Sequence, residues 1–223
     1  MPKIGMEGAR RRALIAATVE AIHERGFCDA TVADIARRAG VSGGLALHYF
    51  GSKKALLTAT MGHLLIDLSK ELKARRETAL GPRARISAVI GASFSPDQFQ
   101  AQVVSAWLAF YLQAQTDPET QRLLRVYHRR LISNLTHEFH ALVTGGTPQT
   151  GRGRRAARRA AEGTAALIDG LWLQRALARG VSDARSAIRL VEDYVERQVE
   201  AARCAGDADA DDADTDSGTV SDM

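Results

Sequence analysis

The chain has 223 residues, of which 45% are hydrophobic and 25% are charged. A chain of this length usually forms one or two domains and can bury a sizeable core. No stretch reaches the length of a membrane span and the charged N-terminus lacks an apolar signal region, so we expect a cytoplasmic protein with no membrane partner. Seven aspartates and no basic residue follow position 206, which leaves 30 basic against 19 acidic residues before it, a net charge of +11. A basic folded part favours a polyanionic partner, with an affinity that falls as salt rises.

Helices are predicted throughout the chain, because alanine, leucine and arginine are abundant and prolines are few. The first helix is preceded by a basic N-terminal arm made of Lys3, Arg10, Arg11 and Arg12. Arms of this kind commonly lie along a phosphate backbone or in a minor groove. The helix after the arm carries an apolar stripe that consists of Leu14, Ala17, Thr18, Ala21 and Ile22.

Residues 31–53, TVADIARRAGVSGGLALHYFGSK, predict two helices joined by a tight turn. The Thr31 hydroxyl can cap the first helix, and Asp34 can reach back to the free amides in a capping box. Gly40 stands where a helix stops, and Ser42 can cap the second helix, which opens with small residues. Two helices around a short glycine turn are the helix-turn-helix signature, in which the second helix enters the major groove of DNA.

Ser52 is predicted to cap a third helix, with Lys53 and Lys54 in its first turn. Cations are unfavourable at that end of the helix dipole, so a bound phosphate would relieve them. The alternative is that residues 31–53 are an ordinary part of a helical bundle, since capped helices and glycine turns occur in any such bundle. The basic arm favours the DNA-binding interpretation.

Further helices are predicted from Lys53 to Gly81-Pro82, over residues 82–93, from Pro96, and from Pro118 to about residue 143. Residues 144–153 have the composition of a loop. Two more helices follow at about 154–179 and 183–203. The segment after Asp207 has almost nothing to bury and is predicted to be disordered, either as a solubilising end or as a competitor of DNA for the basic domain.

The order of residues in the turn segment resembles the DNA-binding domain of the TetR family of transcriptional regulators. The shared features are a threonine, IA, AGVS, a glycine, a tyrosine-phenylalanine pair and a lysine. AWLAF at 106–110, RRLISNL at 129–135 and AALIDGLWL at 165–173 are similar to one subgroup, the choline-responsive repressors of glycine betaine synthesis genes. The resemblance covers residues 1 to about 200.

The resemblance implies an all-α homodimer with a three-helix helix-turn-helix domain at residues 1–54. A helical bundle for ligand binding and dimerisation is expected at 55–205, and the acidic disordered tail at 206–223. The last two helices would pair with those of a second copy across a twofold axis. Periodicity leaves open the alternative that their apolar stripes pack only within one chain.

The resemblance also implies which residues meet DNA. Thr31, Ser42, Gly43, Tyr49 and Lys53 match the family's phosphate-contacting positions. Gly44, Leu45 and His48 match the positions that face base edges. This sequence has Leu47 where the family commonly has a tyrosine, so specificity is expected to depend on His48, the arginine arm and DNA shape.

Aromatic residues suggest a ligand site in the bundle. Trp107, Phe110 and Tyr111 fall within five positions, and Tyr127 and Trp172 lie on helices expected to face the same interior. A quaternary ammonium donates no hydrogen bonds and is bound by aromatic faces, here with Asp169 as counter-charge. The alternative is that these rings are plain core. Choline as the effector is implied by the resemblance alone.

Other chemistry is sparse in the sequence. His137 and His140 stand three residues apart but have no third ligand at metal-binding spacing, so no metal site is predicted. We find no phosphate-binding glycine loop and no catalytic triad, and we expect neither an enzyme nor a cofactor.

The function expected is a ligand-responsive repressor that binds double-stranded palindromic operator DNA, controls choline-to-glycine betaine genes and is released by choline. Three alternatives stay open. The first is a TetR-type repressor of another target, such as an efflux gene, that responds to a different small molecule. The others are a DNA-packaging protein and an enzyme.

Overall fold

The computed structural model describes residues 6–144, 151–177 and 183–215. Every regular element within these ranges is a helix, which confirms the all-α class. In chain order the helices are α1 (Met6–Asp29), α2 (Val32–Arg38), α3 (Gly43–Phe50), α4 (Lys53–Glu77), α5 (Gly81–Ser93), α6 (Ala101–Ala114), α7 (Pro118–Thr144), α8 (Gly151–Leu177) and α9 (Ala184–Thr215). None of these described helices is long and apolar enough to cross a membrane.

A small apolar core joins α1, α2 and α3 to the first turn of α4. It holds most of the apolar stripe predicted for the first helix, together with one side of the turn segment. Its buried members are Leu14, Ala17, Ala21, Ala30, Ile35, Ala36, Ala46 and Leu56. These helices are the predicted helix-turn-helix unit, and the Leu56 side chain closes it from α4.

A larger core fills the bundle formed by α4 to α9 and also includes Ile22 of α1. Helix α4 takes part in both cores, because Leu56 faces the smaller one while the neighbouring Leu57 and Met61 face the larger one. Trp107, Phe110 and other large side chains of α6 lie at the centre of the larger core. Helix α4 therefore connects the two cores as one continuous helix.

Helices α4 and α7 run side by side in the same direction. Thr58 of α4 is hydrogen-bonded to Thr120 of α7 at 3.1 Å, and these residues are 62 positions apart. Arg76 of α4 is hydrogen-bonded to Glu138 of α7 at 3.0 Å, again across 62 positions. Because the two spacings are equal, the helices keep the same register between these two polar contacts.

The start predicted for α6 at Pro96 is wrong, because the helix begins at Ala101. The segment between α5 and α6 is a turn in which the Ser95 carbonyl accepts the Phe99 amide at 2.9 Å. Phe94 and Phe99 are both buried, with ring centroids 5.1 Å apart. Burial of these two rings holds the chain in the turn, whereas the proline alone is equally compatible with a helix start.

Other boundaries also differ from the prediction. Helix α4 ends at Glu77 rather than at Gly81-Pro82, and α8 begins at Gly151 inside the predicted loop. Helix α9 continues to Thr215, so the described part of the predicted disordered tail is helical. Alanine alternates with aspartate there, and extending an existing helix needs no new nucleus. Residues 145–150 and 216–223 lie outside the described residues.

Candidate nucleic-acid interface and ligand site

Three hydroxyl groups fix the helices of the turn segment, as the sequence predicts. Thr31 accepts a hydrogen bond from the Asp34 amide at 3.1 Å, and Ser42 accepts one from the Leu45 amide at 3.2 Å. Ser52 accepts one from the Ala55 amide at 3.1 Å. Gly40 has φ +66°, a conformation that a side chain disfavours, and it directs the chain from α2 into α3.

The turn leaves one face of α3 open. Ala46 is buried against the small core, while Leu47 is 47% exposed and His48 is exposed on the opposite side. A Cβ placed on Gly43 or Gly44 would meet no atom within 4 Å, so none of the residues that the structure describes packs against these two positions at the start of the helix. The outer face of α3 is thus a short convex surface that a large partner can approach closely.

The predicted arginine arm is part of a helix. Arg10, Arg11 and Arg12 lie within α1, which begins at Met6, and Lys3 lies outside the described residues. The helix forms there because Arg11 pairs with Glu7 at 3.0 Å one turn earlier and because good helix formers surround them. The arm prediction is therefore wrong for residues 10–12.

Arg11 and Tyr49 fasten α1 to the recognition side of the unit. The guanidinium of Arg11 lies over the ring of Tyr49 at 5.2 Å and over that of Phe50 at 5.4 Å. Such cation–π contacts contribute about 0.5–1 kcal/mol each at exposed sites. Arg12 is exposed and available to a phosphate, whereas Arg11 is engaged with the two rings.

Lys53 joins the start of α4 to the end of α1. Its ammonium donates a hydrogen bond to the Cys28 carbonyl at 2.9 Å and lies 4.6 Å from the centre of the Phe27 ring. These partners relieve a cation that would otherwise stand alone at the positive end of a helix dipole. They also hold Lys53 beside α3, on the side where the sequence predicts a phosphate.

The capping box predicted for Asp34 is only half formed. The backbone amide of Asp34 bonds to Thr31, but its carboxylate pairs with Arg37 and Arg38. The hydrogen bond from Arg37, followed by the one from Arg38, holds the pKa of Asp34 below its usual range. Arg38 also pairs with Glu24 at 2.6 Å, which ties α2 to α1.

The predicted aromatic residues do come together in the bundle. Their common centre is Trp107, which is 1% exposed. Its ring centroid is 5.1 Å from that of Tyr127, 5.3 Å from Trp172, 6.0 Å from Tyr111 and 6.2 Å from Phe110. The indole N–H of Trp172 donates to the Ser93 carbonyl at 3.2 Å, so α5 also contributes to the cluster. We call these five rings the aromatic cluster.

Asp169, the residue proposed from the sequence as a counter-charge, stands at the edge of this cluster. Its carboxylate accepts a hydrogen bond from the Tyr111 hydroxyl at 3.4 Å and lies 3.7 Å from the His128 imidazole. Burial raises the pKa of Asp169 above its ordinary range, although His128 and Tyr111 act in the opposite direction. Burial, followed by the nearby Asp169 charge, also raises the pKa of Tyr111 and Tyr127, so both phenols stay neutral.

His128 is a member of the site that the sequence interpretation missed. Its ring centroid lies 5.4 Å from that of Tyr127 and 6.3 Å from that of Tyr111. The adjacency of Tyr127 and His128 in the sequence was a usable signal, because the rings of neighbouring residues on one helix can lie close together. The contact with Asp169 spans two helices and could not be read from spacing.

A polar junction connects the bundle to the start of α4, and it too was missed. The Gln113 amide donates to the Thr58 hydroxyl at 3.1 Å and to the Thr120 hydroxyl at 2.8 Å. Asp117 accepts from the Thr120 amide at 3.0 Å and lies 3.6 Å from the Lys54 ammonium. The junction thus links the end of α6, the start of α7 and the first turns of α4.

The histidine pair of α7 does not form a metal centre. Among the residues whose side chains the structure describes, no three His, Cys, Asp or Glu groups come together in a way that could hold a metal ion. Glu138, between the two histidines, is 2% exposed and pairs with Arg76 and Arg85. Its carboxylate therefore joins α7 to α4 and α5.

Comparison with known proteins agrees with both halves of this description. Residues 14–60 match the model of bacterial regulatory proteins of the tetR family, and residues 82–200 match that of the BetI-type transcriptional repressor C-terminal domain. The chain belongs to the TetR family. Within it, the C-terminal match places this regulator in the BetI-type group, so the chain is a ligand-responsive transcriptional regulator and not an enzyme.

Individual relatives of this TetR-family regulator cover almost its whole length. An HTH-type transcriptional regulator BetI from Brucella suis is 50% identical over 199 residues, which are 89% of this chain and 96% of that protein. A BetI regulator from Agrobacterium fabrum is 47% identical over 89% of this chain and 92% of its own length. TetR-family regulators bind operator DNA as homodimers, and this chain shares that mode.

Solved structures show the same fold. A putative transcriptional regulator from Pseudomonas aeruginosa has a TM-score of 0.72 at 28% identity and covers 91% of this chain and 96% of its own. A putative transcriptional regulator from Saccharomonospora viridis in complex with choline has a TM-score of 0.70 at 20% identity. It covers 83% of this chain and 95% of its own.

Proposed function

We propose that this regulator represses genes for the conversion of choline to glycine betaine and that choline, as effector, releases it from its operator. The aromatic cluster with Asp169 at its edge carries the proposal. A trimethylammonium group offers no hydrogen-bond donor and is recognised by ring faces and a carboxylate, with about 0.5–2 kcal/mol from each desolvated ring contact. The choline complex of a regulator with this fold supports the same ligand class.

Choline binding has to separate the rings of the cluster, because Trp107 is buried by its neighbours. The ammonium would replace contacts between Trp107, Tyr127 and Trp172, which belong to α6, α7 and α8. Asp169 would supply the negative charge, and Tyr111 would orient it. A ligand bound there therefore changes how three helices of the bundle sit against one another.

The functional units that we propose divide the chain near the start of α4, where Leu56 packs in the smaller core and Leu57 in the larger one. Residues 1–54 bind DNA, residues 55–205 bind the effector and dimerise, and residues 206–223 form an acidic tail. The helices α8 and α9 are proposed to pair with their copies across the twofold axis. Such a dimer would place two α3 helices at half-sites about one DNA turn apart. A cytoplasmic location stays a prediction.

DNA contact is proposed for the residues that match the family motif. Gly44, Leu45 and His48 would face base edges, and Gly44 and His48 are exposed on α3. Phosphate contacts would come from the motif residues Thr31, Ser42, Gly43, Tyr49 and Lys53. The basic residues Arg10, Arg11 and Arg12 of α1, which lie outside the motif, would add to them, and Arg12 is exposed. Few of these side chains make bidentate base contacts, so dimer spacing and DNA shape carry part of the specificity.

Linkage joins the two sites. If choline favours a spacing of the α3 helices that fits the operator poorly, operator affinity falls by the same factor by which operator DNA weakens choline binding. The polar junction of Gln113, Thr58 and Thr120 lies between the cluster and α4 and is the proposed route.

The experiment measures, by fluorescence anisotropy, the release of the regulator from one palindromic operator fragment. Choline, betaine aldehyde and unrelated cations are compared as effectors. The wild-type protein should release the DNA when choline is added. The double variant Trp107→Ala/Trp172→Ala should need at least a tenfold higher choline concentration for the same release. Circular dichroism of the variant checks that it is folded. Release with an unaltered choline dependence in this variant would show that choline does not bind in the cluster.

A second candidate is a TetR-type repressor of another gene, such as an efflux gene, with an apolar effector. An apolar cavity between α4, α5 and α7 favours it, since a cavity of that character suits a lipophilic compound. Release by such a compound and not by choline would favour this candidate.

A further inference from the structure

A groove with about 690 Å³ of space runs between α7 and α8. None of the described residues that line it also lines the apolar cavity between α4, α5 and α7. Helix α7 lines the groove from His128 to His140, a length of about 18 Å. Helix α8 contributes Arg154, Arg158 and Glu162, which recur about once per turn and therefore form one stripe. The groove is thus elongated, and an extended ligand fits it better than a compact one.

Positive charge dominates the lining of this groove. Among the described residues that line it, three arginines and three histidines stand against one acidic residue, Glu162. Glu162 is already paired with Arg158 at 2.8 Å. Arg129 and Arg154 are exposed, and neither forms an ion pair within the part of the chain that the structure describes. The groove therefore carries two guanidinium groups that no described carboxylate pairs with.

The groove lies away from the recognition helix. Helix α7 starts beside α4, where Thr120 meets Thr58, and the groove begins at His128, about two turns further along α7. His128 faces Asp169 of α8, so Arg154, about four turns earlier in α8, lies toward the far end of the groove. These cations therefore indicate an anion other than operator DNA bound on α3.

The α8 stripe in the groove is separate from the face of α8 that meets α9. Gly163 follows Glu162 in the chain and lies against Tyr194 of α9. Successive residues of a helix point about 100° apart, so the two neighbours belong to different faces. The groove is therefore compatible with the dimer proposed for α8 and α9.

The remaining polar side chains of the groove are hydrogen-bond donors as well. Ser133 and Thr136 of α7 bring hydroxyl groups, and a histidine ring such as that of His137 offers an N–H even when it is neutral. Guanidinium forks bind phosphate oxygens in pairs. A single carboxylate would neutralise one arginine, whereas a row of linked phosphate groups can meet cations that are spread along the groove.

We propose that the groove between α7 and α8 is a second ligand site, for an elongated anion of linked phosphate groups, either free or carried by a nucleotide. Arg129 and Arg154 would bind its two ends, and His137 and Thr136 would donate to the oxygens between them. Among the described residues, the groove shares only His128 with the proposed choline site. The site does not depend on choline being the effector.

The test is tripolyphosphate binding to the full chain, measured by calorimetry at low salt. Affinity should rise about fivefold with each added phosphate group from orthophosphate to tripolyphosphate, because each brings a further exposed ion pair. Adenosine triphosphate is titrated in the same way. Binding tighter than that of tripolyphosphate would identify a nucleotide as the ligand class, and weaker binding would identify free polyphosphate.

Two double variants with the same net charge sharpen the result. Arg129→Gln/Arg154→Gln should weaken tripolyphosphate binding at least tenfold, because it removes both unpaired guanidinium groups. Arg125→Gln/Arg155→Gln is the matched control, since both arginines are exposed on the same two helices but do not line the groove. The control should change the affinity less than threefold. Circular dichroism and gel filtration check that both variants keep the wild-type fold and oligomeric state.

Equal losses of tripolyphosphate affinity in the two double variants would overturn the proposal, and so would equal affinities for orthophosphate and tripolyphosphate. A chain truncated after Ala205 should bind tripolyphosphate within twofold of the full chain. A tenfold gain on truncation would assign the groove to the acidic tail instead. Asp169→Asn should weaken choline binding without weakening tripolyphosphate binding, so this proposal and the choline proposal can fail separately.

Discussion

Asp169 keeps a carboxylate in the bundle interior, where burial raises its pKa. The folded state therefore binds a proton more readily than the unfolded state, and the ionised carboxylate lowers stability as the pH rises from the ordinary aspartate range through the raised pKa. Choline bound at the proposed site would act in the opposite sense, because its positive charge would favour the ionised form. Ligand affinity and protein stability thus depend on pH in opposite directions.

This opposition gives a prediction for pH dependence. Choline affinity should rise as the pH is raised through the elevated pKa of Asp169, since the ionised form binds the cation. Asp169→Asn should weaken choline binding about tenfold and remove most of this dependence, as measured by calorimetry from pH 4.5 to 8. The His128 imidazole also faces Asp169, and the Tyr111 and Tyr127 phenols are the other titratable groups around it. His128→Asn, which should retain the dependence, is the control, and a pH-independent wild type would contradict the assignment.

Lys53 and His48 are predicted to have different roles in DNA binding: Lys53 in affinity for any sequence and His48 in preference for the operator. Lys53→Ala should weaken binding to operator and random DNA alike and reduce the slope of log affinity against log salt by about one. His48→Ala should lower operator affinity about tenfold and leave random DNA nearly unaffected, because His48 is exposed on the outer face of α3. Anisotropy titrations at several salt concentrations measure both. Equal losses on both DNAs for both variants would contradict this division.

At the scale of helices, α8 and α9 pack closely where Gly163 of α8 lies against Tyr194 of α9. A Cβ on Gly163 of α8 would overlap the Tyr194 hydroxyl of α9. Gly163→Ala should therefore lower the free energy of unfolding by about 1–3 kcal/mol, because the tyrosine must move. Gly170 of the same helix has nothing within 4 Å, and Gly170→Ala should stabilise the chain by up to about 1 kcal/mol.

Urea unfolding of both variants measures the difference. In a Tyr194→Ala background, Gly163→Ala should lose its penalty, because the clashing group is gone. Equal effects of the two glycine substitutions in the wild-type background would mean that Tyr194 does not confine Gly163.

The polar junction makes a separate prediction about coupling. Gln113→Leu keeps a side chain of similar size but removes both amide hydrogen bonds to Thr58 and Thr120. Choline affinity of the free protein should change less than twofold, whereas the effect of choline on operator affinity should fall several-fold. Gln102→Leu, at an exposed position of the same helix, is the control. An undiminished choline effect in Gln113→Leu would exclude the junction as the route.

At the scale of the whole molecule, the features that could be predicted from the sequence are those that depend on residues close in the chain or on hydrophobic periodicity. Thr31, Ser42 and Ser52 each cap a helix because a hydroxyl and an amide three residues later need only each other. The clustering of Trp107 with Trp172 was also predicted, because large apolar rings on helix faces must share an interior. These inferences required only local chemistry and hydrophobic periodicity.

The features that the sequence did not predict depend on contacts between distant residues. Pro96 is compatible with a helix start, and only the packing of Phe94 on Phe99 selects a turn. The sequence places Arg11 in a basic arm before the first helix, and only the positions of the Tyr49 and Phe50 rings show that it packs against α3. The apolar cavity between α4, α5 and α7 depends on the parallel course of α4 and α7, which no local pattern encodes.

The central claim is that choline and operator DNA compete through one linked equilibrium. Its most direct test is calorimetric titration of choline into the free dimer and into the dimer bound to its operator. The choline dissociation constant should rise on the operator about 5- to 150-fold, and saturating choline should raise the operator dissociation constant by the same factor. A choline affinity that is identical in the free and operator-bound dimer would contradict the account.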